Sequence, residues 1–277
     1  MHPRHPGLLH MPAKQYHADQ SIGHSGILKM LKSPAHLRET LDHPPPPTPA
    51  MALGSAVHTY VLEPDRFSEE FVVADKFDRR TKEGKEAAAR FEEATQGKTL
   101  ITPEDLATLS RMRAAVLAHQ GAARLLEQGE AELSAFWSDP ATGIACRCRP
   151  DWFNETAIVD LKSCLDASSR GFSRAIANLG YDVQAAFYVD GIKRVTGREL
   201  PFLFVAVEKE PPHAVAVYRA DPEIIEIGRR KYQAALQLLK WCQESGTWPA
   251  YQPAGEVELI SLPRWAANAE AFAFDAA

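Results

Sequence analysis

Asp151, Asp160 and Lys162 put two carboxylates and one ammonium into a short stretch of the chain, Arg149-Pro150-Asp151 followed by Asp160-Leu161-Lys162. Groups of these types can do metal-assisted phosphodiester chemistry. Two ionised carboxylates held close together repel, and burying them raises one pKa, whereas a hard divalent cation stabilises both ionised forms. Mg2+, for which Mn2+ can substitute, takes oxygen ligands and keeps positions open for water and substrate phosphate. Asp151, Asp160 and the Leu161 backbone carbonyl therefore make a partial cage. Such an ion activates and orients water, and Lys162 would stabilise charge developing on the phosphoryl group. The competing reading is a strand-end aspartate followed by an exposed Asp/Lys pair, which has no function.

Strand alternation can bring the three together. Along 156–162, Asp160 and Lys162 fall on one face and Ala157, Val159 and Leu161 on the other. Residues 143–151 alternate too, with Arg147, Arg149 and Asp151 on one face and Cys146, Cys148 and Pro150 on the other. The short connection over 152–155, with Asn154 as turn former, predicts a hairpin that sets Asp151 beside Asp160.

The ordered set Gly143-Ile-Ala-Cys-Arg-Cys-Arg-Pro-Asp151, Ile158-Val-Asp160-Leu-Lys162-Ser and Tyr181-Asp-Val-Gln184-Ala-Ala-Phe-Tyr188 resembles the PD-(D/E)XK nuclease superfamily. Within it the chain is most similar to the RecE-like (exonuclease VIII) nuclease domain of phages and prophages. Further similarity lies in Leu53-Gly-Ser-Ala-Val-His58, in Asp78-Arg-Arg-Thr-Lys-Glu-Gly-Lys85 and in Tyr16-His-Ala-Asp with Ser25 and Ser33-Pro-Ala-His. The resemblance implies that Asp151 and Asp160 bind metal, that Lys162 is the catalytic lysine and that His58 is a further ligand. It also points to Glu132 as an acidic site residue and to Gln184 and Tyr188 as a pair near the site. It implies a metal-dependent exonuclease that degrades linear duplex DNA from the 5′ end, leaving 3′ single strands for an annealing partner. Relatives assemble as rings, so a trimer or tetramer is expected.

Each supporting residue also has an ordinary explanation. His58 lies in 51–62, where the apolar spacing predicts a helix and a half-buried histidine would be unremarked. Glu132 shares a strand face with Glu130 and Ser134 and could simply be solvated. Gln184 and Tyr188 are four apart on a helix and share a face, although glutamine is an unusual core residue.

A net charge of −5 argues mildly against a polyanionic partner, but a local groove can differ from the whole. Arg79, Arg80, Lys82, Lys85 and Arg90 cluster in one segment and are expected to grip DNA, with Arg147 and Arg149 as phosphate contacts beside the site. Four cysteines without a Cys-x-x-Cys pair read as buried thiols, and the cysteine group near the C-terminus with which some members of the resembled superfamily hold an iron–sulfur cluster is missing. With no long apolar segment and no signal-peptide block, a membrane association is not expected and a cytoplasmic location is.

The elements predict an α/β, restriction-endonuclease-like core, a central mixed β-sheet flanked by helices, with helical additions on the N-terminal side. Residues 1–15 read as a flexible arm, 16–247 as the nuclease domain and 248–277 as a tail. Ser25 is the expected N-cap of 26–32, and a proline-rich connector ends at Pro49. A helix-rich insertion occupies about 79–128, including a helix from Pro103 after the Thr102 cap. Strands are expected at 130–137, 143–151, 156–162, 202–208 and 213–219, and helices at 168–178, 181–195 and 222–244. Two other functions fit the same residues: a binding module that keeps the fold without turnover, and an endonuclease or single-strand nuclease of the superfamily.

Overall fold

Ile158–Cys164 is the middle strand of a five-stranded mixed sheet, and the alternation along it decides what packs on each side. The computed structural model describes residues 7–46, 48–75, 77–253 and 255–263. In chain order its elements are α1 Ala13–Ala18, α2 His24–Lys32, α3 Pro34–Asp42, α4 Pro49–Leu62, α5 Pro64–Glu70, β1 Phe71–Val73 and α6 Lys82–Ala94. There follow β2 Thr99–Ile101, α7 Pro103–Ala118, α8 Gln120–Leu126, β3 Glu130–Ala131, β4 Ala135–Ser138, β5 Ala145–Cys148, β6 Trp152–Phe153 and β7 Ile158–Cys164. The last are α9 Ser169–Leu179, α10 Tyr181–Thr196, β8 Phe202–Glu208, β9 Val215–Arg219 and α11 Pro222–Ser245.

The sheet order is β3-β6-β7-β8-β9, with β7 and β8 parallel and the other pairs antiparallel. A parallel pair needs a crossover, which α9 and α10 supply. Ala157, Val159 and Leu161 face a core built with α4, α7 and α8, while Ile158 faces a second core with Phe172, Phe187, Phe202 and Phe204. Each fully buried aromatic of this kind contributes about 1.5–3 kcal/mol. Asp160 and Lys162 are on that second side, beneath α10.

Local chemistry sets the boundaries. Asn154 Oδ1 accepts from the N–H of Thr156 at 2.8 Å and of Ala157 at 2.9 Å, closing the turn between β6 and β7. Thr102 caps the start of α7, as the sequence predicts, and Asp105 answers it in a reciprocal capping box. Gly180, at φ 70°, ends α9 and starts α10, and a Cβ there would meet Leu28 at 2.5 Å.

Several expectations are corrected. Residues 130–137 are not one strand: Glu132 takes φ 55° and splits them into β3 and β4, which belong to different sheets. Nor do 143–151 form one strand, since β5 ends at Cys148 and pairs with β4 in a separate two-stranded sheet. Arg147, Arg149 and Asp151 therefore do not share one strand face. Within the 152–155 connection Trp152–Phe153 is itself β6, so the turn is confined to residues 154–157. Gly23, not Ser25, caps α2, and α2 begins at His24 without a side-chain cap. The insertion contains β2, which pairs in parallel with β1, and neither strand is legible as a periodic pattern. The arm expected to be flexible lies outside the described residues over 1–6. From residue 7 it is anchored, with Leu8 buried and Leu9 exchanging backbone hydrogen bonds with Ser134. At the tail, Ala35 N–H donates to Pro249 O, and Arg38 lies over the Trp248 ring. No helix among the described residues is long and apolar enough to cross a membrane.

Candidate active site

The β6–β7 hairpin positions the two aspartates. Its register pairs Trp152 with Val159, so one step back Asp151 falls opposite Asp160. Asp151 Oδ2 accepts from the Leu161 N–H at 2.7 Å, which fixes that carboxylate against β7. From the opposite side of the sheet α4 delivers His58, whose Nε2 lies 2.7 Å from the Leu161 carbonyl oxygen and 3.6 Å from Asp151 Oδ2. Glu132, at the left-handed break between β3 and β4, donates its backbone N–H to the Asp151 carbonyl, so the kink turns it toward the same place. The His58, Glu132 and Asp151 donor atoms all lie within 4.8 Å of one another.

Behind this triad is a buried ion pair. Asp160 is 0% exposed, with Oδ1 accepting from Gln184 Nε2 at 2.6 Å and Oδ2 lying 2.5 Å from Lys162 Nζ. Lys162 Nζ also sits 4.7 Å from the centre of the Tyr181 ring, a cation–π contact. Tyr181, Gln184 and Tyr188 follow at i, i+3 and i+7 and share one face of α10. The spacing holds the signal for Tyr181, although only Gln184 and Tyr188 are singled out from sequence. His24 is a second residue that pattern alone does not pick out. Its Nε2 donates to Gly180 O at 3.1 Å, on the edge of the same cleft.

Electrostatically the site is strained in one direction. Burial, then the neighbouring Asp151, pushes Glu132 up to about 7 and Asp160 up to about 6. Burial pulls Lys162 down, but the carboxylates of Asp160 and Asp151 outweigh it and leave the ammonium above its ordinary value. His24 is pushed down to about 4, chiefly by burial. Two carboxylates, Glu132 and Asp160, driven toward their protonated forms by burial and by Asp151, beside an imidazole and the Leu161 carbonyl, fit a hard divalent cation.

The triad lines a cleft of about 1080 Å³, together with Arg147, Arg149, Tyr188 and residues of α1 and α2. Asp160, Lys162 and Gln184 do not line it. Arg149 is buried, with Nε 2.6 Å from Glu132 Oε2, and Arg147 bonds the Asp19 carbonyl. Both guanidiniums lie over the Tyr16 ring, at 5.3 and 5.0 Å. These arginines thus knit the N-terminal arm to the cleft wall. The structure does not bring the other basic candidates here. Arg79 pairs with Glu92, Arg80 with Asp78 and Lys82 with Glu86, all exposed, and neither they nor Lys85 line the cleft.

The profile of a PDDEXK-like domain family of unknown function (DUF3799) matches residues 23–263. The chain belongs to this family. This PDDEXK-like assignment agrees with the superfamily read from the Asp151, Asp160 and Lys162 motifs. Among solved structures, a protein of Eubacterium rectale provisionally described as an exonuclease is 14% identical, with a TM-score of 0.65 over 92% of this chain and 97% of that one. That likeness establishes the shared fold. An alkaline exonuclease of Laribacter hongkongensis is also 14% identical, over 60% of this chain and 86% of that one, but its TM-score of 0.29 supports no argument. No curated protein matches the chain.

Proposed function

We propose that this PDDEXK-like protein is a metal-dependent deoxyribonuclease acting as an exonuclease on linear double-stranded DNA, from the 5′ end, to leave 3′ single-stranded tails. The observation that carries the reading is the convergence of His58, Glu132 and Asp151 within 4.8 Å, backed by the buried Asp160–Lys162 pair. His58, Asp151 and the Leu161 carbonyl would hold Mg2+ or Mn2+, with Glu132 and Asp160 completing its surroundings. A bound divalent cation supplies charge neutralisation and water activation. Lys162 Nζ, held protonated between Asp160 and the Tyr181 ring, donates to a phosphoryl oxygen as negative charge develops there. Asp160 aims that ammonium, and Gln184 fixes the Asp160 carboxylate by its 2.6 Å hydrogen bond. Tyr188 walls the cleft where the strand would enter. Arg147 and Arg149 contact backbone phosphates at the cleft wall, their charges partly spent on Asp19 and Glu132. By resemblance the active form is a ring-shaped homo-oligomer that passes its product to a single-strand annealing protein.

Incubation with linear and covalently closed circular duplex, labelled at either end, tests this with magnesium present. Loss of the 5′ label from linear DNA, with circular DNA intact, is expected. Purified Asp160→Ala protein that digests linear DNA as fast as the wild type refutes the mechanism. Cutting of circular DNA would favour the endonuclease reading instead.

A further inference from the structure

The cations that the motif pattern offers for gripping DNA are largely engaged by acids of their own segment, which leaves the question of what carries the substrate backbone to the site. We propose that the exposed face of α9, through Arg170 and Arg174, is the track along which the sugar-phosphate backbone of duplex DNA lies. This rests on the nuclease reading and extends it to a surface.

Position is the first argument. α9 leaves the end of β7 a few residues after Lys162, and at its far end Gly180 hands the chain to Tyr181, whose ring covers Lys162. His24, which lines the cleft, is bonded to that same Gly180 carbonyl. The helix thus follows directly from the strand of Lys162 and is bonded to the cleft rim at its far end, while its own residues lie outside the cleft lining.

The chemistry of the face is the second. α9 is strongly amphipathic: Phe172 and Ile176 enter the core, while Ser169, Arg170, Ser173, Arg174, Ala177 and Asn178 are exposed. No acidic residue lies between Asp166 and Asp182. Neither guanidinium makes an ion pair or hydrogen bond among the described residues, whereas Arg79, Arg80 and Lys82 do. Asp166, the nearest acid in sequence, accepts the Ser168 N–H at 2.9 Å and feels the charge of Arg174 without pairing with it. The outward positions of the helix itself carry arginine, serine, alanine and asparagine, and the one acid against it, Asp166, packs over Gly171 at its first turn.

Spacing is the third. Residues four apart on a helix rise about 6 Å. Adjacent phosphates on one DNA strand are about 7 Å apart once the duplex twist is added to the rise of about 3.4 Å, so Arg170 and Arg174 can each meet one of two neighbouring phosphates. Ser173 lies between them on the same face, with its hydroxyl donating to Ser169 O.

The test measures binding of full-length protein to labelled linear duplex by fluorescence anisotropy, without divalent metal so that no cutting occurs, from about 50 to about 200 mM salt. Wild type, Arg170→Ala/Arg174→Ala, Arg170→Lys/Arg174→Lys and Arg79→Ala/Arg80→Ala are compared. Loss of two phosphate contacts should flatten the slope of log affinity against log salt by about 1.8 and weaken binding several-fold or more at low salt. The lysine pair should recover most of that slope, and the Arg79/Arg80 pair should behave as wild type. With magnesium, the alanine pair should raise KM and leave kcat near wild type. A wild type that binds and cuts DNA, with the alanine pair identical to it in slope and KM, overturns this proposal alone. A wild type that neither binds nor cuts DNA overturns the nuclease reading and this proposal with it.

Discussion

Removing the charge of Glu132 should uncouple the stability of the metal-free protein from pH in a calculable way. Glu132 is pushed from an ordinary 4.5 up to about 7, first by burial and then by Asp151. Each unit corresponds to about 1.4 kcal/mol, so the folded state holds this proton about 3 kcal/mol more tightly than the unfolded chain does. Between about 4.5 and about 7 the native state therefore binds more protons than the unfolded state, and stability contributed by this group falls as pH rises. Below that window the effect is absent, and above it the full cost is present. The comparison must be with Glu132→Gln, because His24, pushed down to about 4, gives the opposite slope in both proteins and cancels in the difference. Arg149, left without its partner in the variant, adds an offset that does not depend on pH in this range. Thermal melts in chelator at pH 5, 6, 7 and 8 should show wild type losing about 3 kcal/mol relative to the variant, roughly 6–12 °C at about 2–4 °C per kcal/mol. Saturating Mg2+ or Mn2+ should largely cancel the loss at pH 8, because a cation stabilises the ionised carboxylate and is worth about 2.7 kcal/mol at a hundredfold excess over Kd. A melting difference that stays constant across the pH series refutes the account of Glu132 as a carboxylate waiting for a cation.

Other outcomes follow from the same geometry. Lys162→Ala strands the fully buried Asp160 without its cation, so it should lose about 3–5 kcal/mol in chemical denaturation as well as cleavage activity. Tyr181→Phe keeps the ring over Lys162 and should retain cleavage, whereas Tyr181→Leu should lower kcat with little change in KM in a steady-state assay. Asn154→Ala removes the acceptor that closes the β6–β7 turn, costing about 1–3 kcal/mol, and should weaken Mn2+ affinity measured by calorimetry because Asp151 loses its alignment. Gly228→Ala places a Cβ 1.9 Å from the Asp182 carbonyl oxygen, so α10 and α11 must part and the melting temperature should drop.

What could be read from sequence was local and periodic. The 156–162 alternation, the Asn154 turn, the Thr102 cap and the helices α9, α10 and α11 follow from side-chain period and capping chemistry, and they carry the Asp151, Asp160 and Lys162 placement with them. Other features depend on long-range contacts that no window contains. The break at Glu132 requires a left-handed residue that is not glycine, which its neighbours do not announce. Its consequence is large, because β4 and β5 leave the central sheet and are flanked by Leu9 and Ile22 from the N-terminal segment. The same distance effect misleads the charge reading. Arg149 appears free on a strand face, yet it is buried against Glu132, and the Arg79–Lys85 cluster finds acids in its own segment.

Two cores lie on opposite sides of the central sheet, and the candidate site draws on the elements of both. His58 arrives from the helix that packs one face, and Gln184 and Tyr181 arrive from the helix that packs the other. Folding either half alone leaves the constellation without its imidazole or without the groups that hold Asp160 and Lys162. A chain caught part-way through folding, or opened on one side, therefore lacks the means to cut. On the nuclease reading proposed above, that layout makes assembly itself the safety catch.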